Sequence, residues 1–103
     1  MSGYSIPDLL RLLRSERGDR VQLIVGYPPT LVVKGESHEI EGPAVVEESA
    51  EEMLRSVAST REMRVYRETG SVDIIVPLEV ARFLVRAVRA FSEFRLELQP
   101  ISL

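Results

Sequence analysis

The sequence predicts an α+β domain, with a mainly antiparallel sheet and helices packed on it. Two observations predict this. Helical periodicity is confined to Ile6–Arg17 and to the stretch after Ser49 up to Gly70, whereas alternating or short apolar runs fill the regions around 21–40 and 72–99. The two kinds of segment are grouped and do not alternate, which argues against a parallel sheet of βαβ units.

The first helix is read over Ile6–Arg17. Ser5 is placed to cap it, Asp8 follows three residues later, and Pro7 lies in the first turn, where its missing N–H costs little. Ile6, Leu9, Leu10 and Leu13 share one face, Arg11, Arg14 and Arg17 take the other, and Gly18 is the expected stop. Val21–Val25 and Leu31–Val33 read as strands around a Gly26-Tyr27-Pro28-Pro29 turn, because consecutive prolines cannot serve a central ladder. Lys34-Gly35-Glu36 is a second turn leading to a short strand at His38–Ile40, and Glu41-Gly42-Pro43 breaks the chain. Ser49-Ala50-Glu51-Glu52 has the capping-box pattern of a helix start, with Met53, Leu54, Val57 and Ala58 as the apolar face. Ser59 or Thr60 caps the next helix, which carries Met63 and Tyr66 inward and ends at Gly70.

Val72–Val76 is a strand expected to stop at Pro77. Ala81–Arg89 alternates Phe83, Val85 and Ala87 against Arg82, Leu84, Arg86 and Val88; a helix over Glu79–Phe91 competes, because alanine and arginine favour it. Phe94, Leu96 and Leu98 alternate in a final strand.

The 103 residues favour a single domain over 1–103, long enough to bury roughly two-thirds of the unfolded surface. An apolar fraction of 45% and a charged fraction of 28% exclude a disordered chain. A net charge of −3 argues against a general nucleic-acid binder. The absence of cysteine excludes disulfides and thiolate zinc sites and suits a cytoplasmic location. No apolar run approaches the roughly 20 residues of a membrane span, so no direct membrane insertion is expected.

The motifs in order resemble a known family. The stretch Leu23-Ile24-Val25-Gly26-Tyr27-Pro28-Pro29-Thr30-Leu31-Val32-Val33-Lys34-Gly35-Glu36 is similar to the first hairpin of PilT-type ATPases, with its Gly-x-Pro-Pro turn. Ser49 to Gly70 resembles the helical pair that follows. Asp73 matches the acidic start of the next strand, and Ala81-Arg82-Phe83-Leu84-Val85 resembles the family's Ala-Arg-Phe-Arg-Val strand. The likeness spans nearly the whole chain. It implies a PAS-like N-terminal domain of the kind that, in type IV pilus and secretion ATPases, sits on a RecA-like core, packs against a neighbouring subunit and helps form a hexamer that drives pilus retraction and twitching motility.

The chain also departs from that pattern. It contains no Gly-x-x-x-x-Gly-Lys-Ser/Thr phosphate loop. Arg20 and Gln22 replace an acidic residue and a histidine before the Gly-x-Pro-Pro turn, Gln99 replaces an arginine, and Ser102 follows Ile101 in place of proline. The resemblance therefore implies a non-enzymatic interaction or regulatory module, whose partner is a PilT-like hexameric ATPase or a second copy of itself. A PAS-like small-ligand sensor is the alternative.

No catalytic or metal constellation emerges, and no cofactor is read from the sequence. His38 is the sole histidine; Glu36 shares its strand face, but one histidine with scattered carboxylates reads as ordinary surface. Glu47, Glu48, Glu51 and Glu52 are explained by a helix start. The serines, Ser92 and Ser102 among them, lack a nucleophile-elbow motif. Two groups stand out as interaction candidates: the stiff Tyr27-Pro28-Pro29 turn, and a basic stripe of Arg82, Arg86 and Arg89 joined by Arg95.

Overall fold

In the structure, a computed structural model describing residues 4–91 and 93–101, three helices and six strands follow one another as helix α1 (Ile6–Ser15), strands β1 (Arg20–Ile24), β2 (Thr30–Val33) and β3 (Glu36–Glu39), helices α2 (Glu47–Val57) and α3 (Thr60–Thr69), then strands β4 (Ser71–Leu78), β5 (Ala81–Ala90) and β6 (Glu93–Pro100). The strands form one sheet in the order β3-β2-β1-β6-β5-β4, and every pairing is antiparallel. The α+β reading with a mainly antiparallel sheet therefore holds. The segment 81–90 is strand: its inward set Phe83, Val85 and Ala87 is at most 1% exposed, and both long neighbours pair with it in register. Period-2 burial between two flanking strands overrides the helical preference of its alanines and arginines.

All three helices lie on one face of the sheet. Ile6, Leu9, Leu10 and Leu13 of α1, Ala50, Met53 and Leu54 of α2, and Met63 and Tyr66 of α3 join Val21, Leu23, Val72, Ile74, Phe83, Val85, Phe94, Leu96 and Leu98 in one apolar core. Among the described residues the core holds no buried charged or polar side chain. Its stability is therefore hydrophobic, at about 25 cal/mol per Å² of apolar surface removed from water.

The element boundaries correct four expectations. Helix α1 stops at Ser15 in a Schellman arrangement: Gly18 N–H donates to Leu13 C=O at 2.9 Å and Arg17 N–H to Arg14 C=O at 3.2 Å. The left-handed residue is Arg17 (φ +52°), not Gly18. Gly18 sits in a tight space, since a Cβ there would lie 2.7 Å from Leu31 Cδ1 and 3.0 Å from Leu13 Cδ1, and those leucine ends would have to shift. Ser49 is not a cap. Helix α2 starts earlier, after Val46, with no side-chain cap, because the preceding residues are held by Gly26 N–H to Val45 C=O (2.8 Å) and Val45 N–H to Tyr27 C=O (2.9 Å). The full capping box belongs to α3, where Ser59 Oγ accepts from Glu62 N–H and Glu62 Oε1 accepts from Ser59 N–H. Strand β4 runs through Pro77 to Leu78, which a sheet edge allows because Pro77 can lack a ladder donor on its open side. The short strand after the turn is Glu36–Glu39 and not His38–Ile40, because Lys34 (φ +51°) and Gly35 (φ +80°) make the turn without Glu36.

Candidate interaction surface

Strand alternation gives the sheet a second face that, among the described residues, carries no helix. The register places Asp73, Arg86, Glu97, Gln22, Thr30 and Glu39 in one row across it. A neighbouring row carries Ser71, Val88, Arg95 and Ile24, and another brings Ile75 beside Leu84 and Gln99. Ile75 is 60% exposed at the β4 edge. This open face is a mosaic of aliphatic side chains and paired charges. Arg86 donates to both carboxylate oxygens of Asp73, from Nε at 2.9 Å and Nη2 at 3.3 Å. Arg95 Nε donates to Glu93 at 2.6 Å, and Arg20 lies 4.0 Å from Glu97. The hydrogen bond and charge of Asp73 raise the Arg86 pKa above its ordinary value.

Two concavities mark the face. One, of about 520 Å³, is lined by Arg86, Val88, Ala90, Phe91, Glu93, Arg95 and Glu97. The other, of about 210 Å³, is formed by Gln22, Ile24, Tyr27, Pro28, Thr30 and Glu39. Ile24 pairs with Arg95, so the two grooves adjoin.

The candidate residues divide. Tyr27 (65% exposed) and half-buried Pro28 border the open face, and Arg82 and Arg86 stand on it. Pro29 is buried, and its carbonyl accepts from Ile40 N–H. Arg89 leaves the expected stripe. Three residues from Arg86 in a strand is an odd step, so Arg89 is directed to the helix side, opposite Phe94. There Arg89 Nε donates to the Tyr66 hydroxyl at 3.0 Å, Nη2 reaches Glu51 at 2.8 Å and Glu47 at 2.6 Å, and the guanidinium lies 5.5 Å from the Phe94 ring centre. The Tyr66 hydrogen bond, followed by the Glu47 contact, outweighs partial burial and raises the Arg89 pKa. Arg89 thus ties both helices after β3 to the sheet, and Glu47 and Glu51 are its counter-ions.

His38 sits on the wholly exposed strand β3 with Nε2 4.0 Å from Glu36. Among the described residues no group of three or more histidine, cysteine, aspartate or glutamate side chains could hold a metal ion. Also among the described residues, no helix is long and apolar enough to cross a membrane. Ser92 and Ser102 lie outside the described residues. Phe91, wholly exposed at the end of β5, escaped sequence reasoning because it continues the inward series Phe83, Val85, Ala87. The only sequence signal against burial was the nearness of the hairpin turn.

A six-stranded antiparallel sheet with its helices on one side also occurs within solved structures of pilus and secretion ATPases. The chain superposes on the pilus retraction motor PilT, solved with bound ADP, with a TM-score of 0.84 at 18% identity over 96% of this chain and 29% of that one. It superposes on the Legionella pneumophila ATPase DotB with a TM-score of 0.78 at 13% identity, over 99% of this chain and 30% of that one. The Yersinia pseudotuberculosis ATPase DotB gives a TM-score of 0.65 at 12% identity, over 93% of this chain and 29% of that one. The chain thus spans less than a third of the length of these structures. No family model matches it, and no curated protein is significantly similar to it. The resemblance read from the Gly-x-Pro-Pro hairpin and the Ala-Arg-Phe strand is borne out at the level of the fold.

Proposed function

We propose that this chain is a non-enzymatic interaction module that docks its open sheet face on the core of a PilT-like ATPase and thereby regulates a pilus or secretion motor in the cytoplasm. The observation that carries the reading is a fold shared with about 30% of two such ATPases, together with a sheet face on which, among the described residues, Ile75, Leu84 and Val88 have no covering layer. Tyr27 and Pro28, Arg82 and Arg86 supply a rigid aromatic corner and guanidinium groups of the kind enriched at interfaces. In this reading nucleotide chemistry belongs to the partner, since these 103 residues carry no phosphate loop. The small-ligand reading draws less support, because the larger described concavities lie outside the sheet and not between sheet and helices.

The test is size-exclusion chromatography with light scattering on the chain mixed with the PilT-like ATPase of the same genome. Co-migration is expected, lost with Leu84→Asp or Tyr27→Ala and weakened by Arg82→Glu. A chain that never co-migrates with that ATPase, with or without nucleotide, overturns the reading. Native mass spectrometry that shows a co-purified small molecule would favour the sensor reading instead.

A further inference from the structure

Phe91 follows directly on Ala90–Glu93, the last register pair of the β5–β6 hairpin. Its side chain is 102% exposed, as accessible as in an isolated peptide, and its backbone is left-handed at φ +52°. Both features cost free energy in an isolated domain. An aromatic residue in the left-handed region is an outlier, and a buried phenyl ring would gain transfer free energy that this one forgoes. A hairpin tip of this kind favours glycine, asparagine or aspartate.

The groove beside it is lined by Arg86, Val88, Ala90, Glu93, Arg95 and Glu97, with Phe91 itself as one wall, and its volume of about 520 Å³ is of ligand-pocket size. Knob and socket therefore lie on one patch. The charges there, Arg86 and Arg95 against Glu93 and Glu97, cancel, and Arg86 and Arg95 are paired with Asp73 and Glu93 of their own chain, so the patch does not repel a copy of itself and presents complementary charges to it. A surface that carries its own complement is what a two-fold, isologous contact requires.

We infer that two copies of this chain associate through the β5–β6 hairpin, each inserting Phe91 into the groove of the other between Arg86, Val88 and Arg95. The contact goes beyond the ATPase reading and needs no ATPase. A small interface with one aromatic anchor and a charged rim is of the transient class.

Sedimentation velocity from about 1 to about 300 µM, the range in which small interfaces dissociate, tests it. The native chain is expected to shift from monomer to dimer across the series. Phe91→Gly is expected to weaken dimerisation at least tenfold, the order of an interface hot spot. Its thermal midpoint is expected to equal or exceed that of the native chain, because glycine adopts the left-handed backbone without strain. Phe91→Trp keeps an aromatic knob and is expected to retain the dimer. Arg95→Glu, which makes the groove acidic, is expected to weaken dimerisation. A native chain that stays monomeric to about 300 µM overturns the inference, as does a Phe91→Gly chain that dimerises like the native one.

Discussion

Replacement of Arg89 by alanine tests the division of the arginines between the two sheet faces. Arg89 is 36% exposed, so its contacts with Glu47 and Glu51 are partly screened, and an exposed pair of this kind is worth about 0.2–1 kcal/mol. The Tyr66 hydrogen bond adds about 1 kcal/mol. The guanidinium over Phe94 adds about 0.5 kcal/mol at a half-open site. The terms share one side chain and are not additive, which gives an expected loss of about 2 kcal/mol, or a fall in thermal midpoint of about 8–10 °C for a domain of this size. Urea unfolding followed by circular dichroism measures it, with an unchanged m-value as the sign that only stability moved. Arg86→Ala is the comparison, because Arg86 pairs with Asp73 on the open face, and its midpoint is expected to lie within the scatter of the native chain. The coupling of Arg89 to Glu51, read from Arg89→Met, Glu51→Gln and the double variant, is expected at about 0.5–1 kcal/mol. Equal effects of Arg89→Ala and Arg86→Ala would refute the assignment of Arg89 as a tie between helices and sheet.

Three further outcomes follow from the same structure. Ser59→Ala, which opens the capping box of α3, is expected to cost about 1 kcal/mol in urea unfolding, whereas Ser49→Ala, inside α2, is expected to cost almost nothing. Glu79 holds a left-handed backbone (φ +57°) at the β4–β5 turn and pairs with Arg14 at 2.9 Å and Arg11 at 3.6 Å. Glu79→Ala keeps the strain and loses the pairs, whereas Glu79→Gly removes both, so glycine is expected to be the more stable variant by about 1 kcal/mol on thermal melting. The Tyr4 hydroxyl donates to Pro43 C=O at 2.7 Å, and burial raises its pKa above 10.0. A group raised in the folded state contributes its full stability below its unfolded value and loses it as pH climbs through the folded one. Unfolding curves are therefore expected to weaken above about pH 10, and Tyr4→Phe is expected to lack that part of the pH slope.

What the sequence by itself determined was the set of elements and the side each presents to the core. The stripe Ile6, Leu9, Leu10, Leu13, the alternation of Phe83, Val85 and Ala87, and that of Phe94, Leu96 and Leu98 are all buried as their periods require. These signals are local and repeat several times, so no tertiary knowledge was needed. The cap of α3 was legible as Ser59 or Thr60, and the structure selects Ser59, whereas the Ser49 pattern misled, because main-chain bonds between Val45 and the Gly26-Tyr27 loop set the start of α2, and such long-range partners leave no local motif. Tertiary structure alone decided which faces are covered. The sequence placed Arg82, Arg86 and Arg89 near one another. Only pairing in a sheet separates Arg89, which finds counter-ions on α2, from Arg86, which finds Asp73 on β4. The same holds for the open face, since Ile24, Ile75, Leu84 and Val88 come from three strands and meet only when β1 and β6 pair at the centre of the sheet. Periodicity is a property of neighbours along the chain. A binding surface is a property of neighbours across it, and strand order supplies those.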